Sequence, residues 1–282
     1  MTLEARWSGD AAQDPARRHL VAPPLWDARK RLLAWGAFAG FVLYGLAATG
    51  FFDLPRIFEG LGKLGLVVGL MLPPAHNGSF WEFMGGIAET LSMAFLGTLL
   101  AVLAAIPLGF LGARNVLPSW IFRFGLRRFF DGLRGIDQLI WALIFINVVG
   151  LSPFAGILAI AVSDTGTLGK LFAEAIENVD PRPMEGVKAA GGRRSQIVRF
   201  ALWPQVFPVL LSQTLYFFES NTRSATILGI VGAGGIGLQL SDRIRVNNWD
   251  EAAFIIIMIL VTVSLIDLAS HALRRRLIGV RG

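Results

Sequence analysis

The chain has 282 residues, 54% of them hydrophobic and only 16% charged, and its mean hydropathy is +0.58. Soluble domains carry about 25% charged residues, so the composition excludes an ordinary cytosolic enzyme and points to a polytopic, all-α membrane protein. The absence of cysteine excludes a disulfide framework, an iron–sulfur cluster and a thiolate metal site, and the net charge of +6 is read as a marker of cytoplasmic loops, with no nucleic acid implied.

Residues 1–31 are polar, contain Pro23-Pro24 and end in Arg29-Lys30-Arg31, as expected of a cytoplasmic tail. Residues 32–52 carry no charge over 21 positions, about 31 Å as a helix, which crosses the hydrocarbon core. The long polar leader argues for a retained first helix against a cleaved signal. Within 53–86, the apolar stretch from Leu61 to Leu72 is too short to span. Residues 32–86 are therefore expected to hold the first membrane helix followed by a periplasmic or interfacial segment.

The transmembrane core is expected over 87–272, with spans near 87–112, 136–149, 155–178, 204–221 and 252–271, the first of them kinked at Pro107. Basic loops at 113–134 and 179–203, the turn Gly150-Leu151-Ser152-Pro153 and a Gly-rich stretch separate these spans. Residues 273–282 form a basic cytoplasmic tail that includes Arg274, Arg275 and Arg276. With six helices and the N-terminus inside, 20 Lys and Arg face the cytoplasm against 5 outside, Lys170 lying within a span. That asymmetry assigns both termini to the cytoplasm.

The loop at 179–204 has its own punctuation. Asp180 is a helix N-cap, Pro181 and Pro183 fit the first turn, Gly191-Gly192 suit a C-terminal cap and turn, and Ser195 is expected to cap a second short helix toward Pro204. The result is a helical hairpin protruding into the cytoplasm. From the residues alone, a plain solvated connection explains the same pattern equally well.

Here the sequence resembles the permease subunits of bacterial ABC importers. Their signature is Glu-Ala-Ala, three residues, Gly, nine residues, then Ile-any-Leu-Pro; Glu185, Gly191 and Pro204 stand at that spacing. Gly186 and Val187 replace the two alanines, and Ala201 and Trp203 replace Ile and Leu. The resemblance implies that Glu185, Gly186, Ala189, Gly191, Arg193 and Pro204 belong to a coupling loop that docks on an ATPase subunit.

Residues 218–237 read FESNTRSATILGIVGAGGIG. The glycines lack a strand–helix–strand setting for dinucleotide binding; they suit close helix approach or a broken helix lining a cavity. The Gly-Ala-Gly-Gly-Ile-Gly string resembles the methionine-importer type of permease, and Phe-Glu-Ser-Asn-Thr-Arg-Ser-Ala-Thr the phosphonate-importer type. Leu72-Pro73-Pro74, Asn115-Val116-Leu117-Pro118 and the 150–156 segment fit the latter too. Gly232, Gly234, Gly235 and Gly237 are the expected gate or packing glycines.

Charges inside spans default to function. Glu89, Asp137 and Asp267 are read as structural, and Asp164 stays open. Glu219, Asn221, Arg223, Ser224 and Thr226 are assigned to a substrate pathway, with Arg223 as a lone cation whose guanidinium suits phosphate-like oxygens. A Glu219–Arg223 pair bracing one helix face is the competing reading. No Gly-x4-Gly-Lys-[Ser/Thr] motif occurs, and His19, His76 and His271 are scattered, so no catalytic group, metal site or cofactor is assigned to this chain.

The resemblance implies a multi-pass protein of the bacterial inner membrane working by alternating access. Two ATP-binding cassette subunits would hold ATP and Mg, and a periplasmic phosphonate-type solute-binding protein would deliver the cargo. With one coupling loop per chain, a homodimer embedded in membrane lipid is expected. Phosphite, hypophosphite, a phosphate ester or an amino acid are the alternative cargoes, and an integral-membrane phosphotransferase the alternative class.

Overall fold

The structure is a computed structural model that describes residues 28–116 and 119–278. Residues 1–27, with most of the expected tail, Leu117-Pro118 and residues 279–282 lie outside that description. Among the described residues all regular structure is helical. The chain divides into two units, one ending at Leu66 and the other beginning at Val67.

The first unit contains α1 (Ala28–Ala48) and most of α2 (Leu54–Leu70). α1 is apolar around its circumference, and its aromatic side chains Trp35, Phe38, Phe41 and Tyr44 are exposed. Such a helix is stable against hydrocarbon and not against water. α2 buries none of its residues.

The second unit begins with α3 (Phe80–Gly112), α4 (Trp120–Arg134), α5 (Gln138–Val149) and α6 (Pro153–Glu177). α7 (Pro181–Ala189) and α8 (Arg194–Ile197) follow. A π-helical turn at Val198–Leu202 leads into α9 (Trp203–Leu228), and a second at Gly229–Ala233 leads into α10 (Gly235–Arg245); α11 (Trp249–Ile278) closes the unit. α1, α3, α6 and α11 are each long and apolar enough to cross a membrane. α4 with α5, bent by 81°, and the α8-to-α10 run, bent by 55°, bring the number to six when each bent pair is one span.

Small residues let the central helices approach. A Cβ on Gly97 of α3 would lie 2.7 Å from Ile160 of α6, and one on Gly109 would lie 2.8 Å from Phe172. In lipid, where apolar burial does not drive helix association, such close backbone packing supplies much of the attraction. Phe130 brings α4 into the same stack: its ring is fully buried and rests on Gly169, 2.6 Å from where a Cβ would be.

Three expectations need correction. Residues 120–134 are not a loop. Arg123, Arg127 and Arg134 recur at helical spacing around buried Phe130, so charge and helix coexist in an amphipathic α4. The span expected at 204–221 runs to Leu228, which puts the polar 218–226 stretch inside a continuous helix. α3 starts at Phe80, seven residues before the expected boundary at 87, and its helix continues through Pro107.

A polar cavity at a broken span and a hairpin on the basic side

Asp137 ends the break between α4 and α5 by accepting a 2.9 Å hydrogen bond from the Leu139 amide, the N-cap that starts α5. Beside this break lies a cavity of about 390 Å³, whose polar lining includes Arg134, Gln138, Asp164, Ser220, Asn221 and Ser224. Asp164 sits near the middle of α6, which has 25 residues. A polar cavity at that depth is costly in a membrane span, which makes it the candidate functional site.

The floor of the cavity is a closed hydrogen-bond network. Asn221 Nδ2 donates to Asp164 Oδ2 at 2.5 Å and to Thr98 Oγ1 at 2.8 Å. Gln138 Nε2 donates to Asp164 Oδ1 at 3.0 Å and to Asn221 Oδ1 at 3.2 Å. Helices α5, α6 and α9 thus meet at one carboxylate, whose two oxygens are both satisfied, and α3 joins them through Asn221. Asp164, Asn221 and Thr98 are buried, where an unpaired polar group is expensive and a satisfied network fixes a single packing.

The residues expected to line a pathway separate onto different faces of α9. Asn221 and Ser224 line the cavity. Glu219 and Arg223 do not; they turn toward α11. Arg274 Nη2 reaches Glu219 at 2.6 Å, and Arg223 Nη1 lies 3.3 Å from Asp267. Arg223 is therefore not a lone cation, because α11 supplies a carboxylate 44 positions later in the chain. The Glu219–Arg223 pair exists at 3.9 Å, looser than the bond either residue makes to α11. Thr226 joins Thr90, Thr222 and Thr262 in a small apolar crevice away from the cavity. Cavity residues that sequence reasoning left without a pathway role are Arg134, Gln138, Asp164 and Ser220. The polar pattern at 220, 221 and 224 on one helical face was the available signal for Ser220, and an acid inside an apolar span the signal for Asp164.

The glycines build the hinge between α9 and α10. Gly232, Gly234 and Gly235 adopt φ of 111°, 88° and 68°, a region that side chains disfavour. Gly237 passes so close to the Thr226 carbonyl that a Cβ has no room. α3 caps the restarted helix from outside: Gly235 N donates to Glu89 Oε2 at 2.9 Å and Ile236 N to Thr90 Oγ1 at 3.0 Å. Glu89 is structural as expected, and its role is to satisfy amides that a broken helix leaves free.

On the side carrying the basic loops, α7 starts at Asp180, which accepts from the Arg182 amide at 3.0 Å, with Pro181 in its first turn. The turn after α7 closes through Gly191 N to Lys188 O and Gly192 N to Val187 O, at 3.0 and 2.9 Å, with Gly191 at φ 77°. The second helix is capped at Arg193 and not at Ser195: Gln196 Oε1 accepts from the Arg193 amide at 2.7 Å. Instead of ending near Pro204, this helix continues through a π-helical turn into α9.

Glu185, Gly186, Ala189, Gly191 and Arg193 are exposed on the hairpin, and Pro204 is exposed at the start of α9. Met184 and Val179 pack beneath it on the Leu168–Phe172–Leu202 cluster. Two ties missed in the sequence hold its ends. Gln205 Oε1 accepts from the Asp180 amide at 3.1 Å, and Arg194 Nη2 donates to the Val116 carbonyl at 2.5 Å. Among the described residues no group of three or more His, Asp or Glu converges to hold a metal ion.

Residues 105–279 match the family described as the binding-protein-dependent transport system inner membrane component. The chain is 36% identical over 237 residues to the phosphite transport system permease protein PtxC of Stutzerimonas stutzeri, covering 84% of this chain and 86% of that one. It is 35% identical over 270 residues to the phosphate-import permease protein PhnE of Mycolicibacterium smegmatis, covering 94% of this chain and 49% of that protein. The inward-facing MetNI methionine ABC transporter has the same fold, with a TM-score of 0.63 at 20% identity over 72% of this chain and 99% of the matched chain. The chain thus belongs to the inner-membrane component family of binding-protein-dependent transport systems, as a permease subunit of an ABC importer.

Proposed function

We propose that this permease moves a small phosphorus oxyanion, of the phosphonate, phosphite or phosphate type, inward through the cavity at the α4–α5 break. The observation that carries the reading is that cavity: a polar chamber beside Asp164, near the middle of α6, lined from α4, α5, α6 and α9. The names of the two relatives above, a phosphite and a phosphate permease, support a phosphorus oxyanion as cargo. The membrane core runs from α3 to α11, slightly longer than 87–272, and both termini lie in the cytoplasm by the Lys and Arg of the two tails and of the 182–199 segment, which carry the asymmetry without the arginines of α4.

The exposed α7–α8 hairpin is the docking element for the ATPase, with Glu185 on its first helix and Gly191 at its turn. Because each chain has one hairpin, two permease chains, as a homodimer, face two ATP-binding cassette subunits that hold ATP and Mg. A periplasmic solute-binding protein delivers cargo from the opposite side. ATP binding closes the ATPases, the hairpin transmits that motion, and α9 with its glycine hinge rearranges around the cavity. The Glu89 and Thr90 caps keep α10 tied to α3 during this movement.

Native mass determination of the complex purified through this chain tests the assembly. A particle with two copies of this chain and two ATPase subunits is expected. One copy paired with a different permease chain overturns the homodimer, and a particle lacking any ATPase overturns the coupling assignment.

A further inference from the structure

We infer that Arg134, with the hydroxyls of Ser220, Ser224 and Ser163, forms a transient oxyanion-binding site inside the cavity, backed by the Asp164–Asn221–Gln138 network. This deepens the reading of the cavity as the route and rests on it.

The argument is an inventory of hydrogen-bond donors. Gln138 and Asn221 line the cavity, yet all four of their amide N–H bonds are spent inside the network, on Asp164, on Thr98 and on Asn221 itself. Asp137 is committed to the first turn of α5. Ser163, Ser220 and Ser224 share the lining, and none of the network's hydrogen bonds uses their hydroxyls. Arg134 is the one cation in the lining, and its nearest acid, Asp131, lies at 4.0 Å. Asp131 has closer partners in Arg128 at 3.2 Å and Lys170 at 3.3 Å. The guanidinium is therefore only loosely held, and it shares the cavity lining with three serine hydroxyls.

That set fits a tetrahedral oxyanion: a planar fork for two oxygens, and hydroxyls for the others. The satisfied Asp164 does two further things. It holds Asn221 and Gln138 so that neither competes for the ligand, and its charge repels an anion from the floor toward Arg134. A single guanidinium opposed by two carboxylates in the same lining, Asp164 and the capping Asp137, binds an anion weakly, which a transit site requires if the ion is to leave. Arg223, the cation that the sequence favoured for this role, is occupied by Asp267 on another face of α9.

The test uses the whole complex, with its ATPase and solute-binding protein, in proteoliposomes, with phosphite and methylphosphonate as probes. Uptake is read per folded complex, with folding checked by thermal unfolding. Arg134→Gln is expected to lower uptake about tenfold or more, the scale of one charge-assisted hydrogen bond, and Arg134→Lys to fall between Gln and wild type. Normal uptake by the Gln variant overturns the oxyanion site, because neither charge nor fork would then matter; a Lys variant no better than Gln overturns it too, because the retained charge would then attract no anion. Ser224→Trp, which fills the cavity, is expected to block uptake whatever the role of Arg134. Normal uptake by that variant overturns the cavity as the route.

Discussion

Replacing Asn221 by leucine isolates the network that holds four helices together. The change keeps the volume of the side chain roughly constant and deletes three hydrogen bonds: to Thr98, to Asp164 and from Gln138. Interhelical hydrogen bonds in membranes contribute about 0.6 kcal/mol each on average, so their loss costs roughly 2 kcal/mol. Asp164 is buried and loses its shortest partner, which adds about 1–3 kcal/mol for a stranded acceptor. The expected destabilisation is therefore about 3–5 kcal/mol.

The double variant Asn221→Leu with Asp164→Leu removes the stranded group as well. It should be more stable than the sum of the two single effects by at least about 1 kcal/mol, because removing both partners costs less than removing one. Denaturant titration of the purified protein in detergent, followed by circular dichroism, measures all four corners of the cycle. Additivity within about 0.5 kcal/mol would mean that the two side chains are energetically independent, and the network reading would be wrong.

Other outcomes follow from the same geometry. Gly191→Val meets no neighbour within 4 Å, so its penalty comes from φ 77° alone; it should abolish substrate-stimulated ATPase activity while thermal unfolding of the membrane core stays normal, and retained stimulation would refute the coupling assignment. The chain has no cysteine, so an Arg193→Cys variant reports topology directly: it should resist an impermeant thiol reagent in intact cells and react in inverted vesicles. Arg223→Leu should lower stability and Arg223→Leu with Asp267→Leu should recover part of it, with uptake per folded complex unchanged; a large uptake defect in the stable double variant would return Arg223 to the pathway.

The spans of α1 and α3 were legible because about 20 or more uncharged residues in a row, at 32–52 and 90–113, leave few alternatives. The hairpin was legible because Asp180, Pro181 and Gly191-Gly192 carry local backbone signals. What escaped was contact between distant positions. Nothing near Arg223 announces Asp267, so a cation paired across helices read as a free one. α4 was taken for a loop because its arginines suggested solvent, whereas Phe130 needs a helix to reach Gly169. The cavity itself arises from an arginine, a glutamine, an asparagine, an aspartate and ordinary serines on four helices, and only packing brings them together. Glu89 was visible as an intramembrane acid, but its cap on α10 depends on a hinge whose geometry the glycines permit without specifying.

ATP-driven uptake of phosphite by proteoliposomes holding this chain, its ATPase and its solute-binding protein tests the central claim most directly. The account predicts accumulation that requires ATP, Mg and the solute-binding protein together, and that is lost in Ser224→Trp. Accumulation independent of ATP, or complete indifference to phosphite, phosphate and phosphonates while another solute is carried, would contradict it.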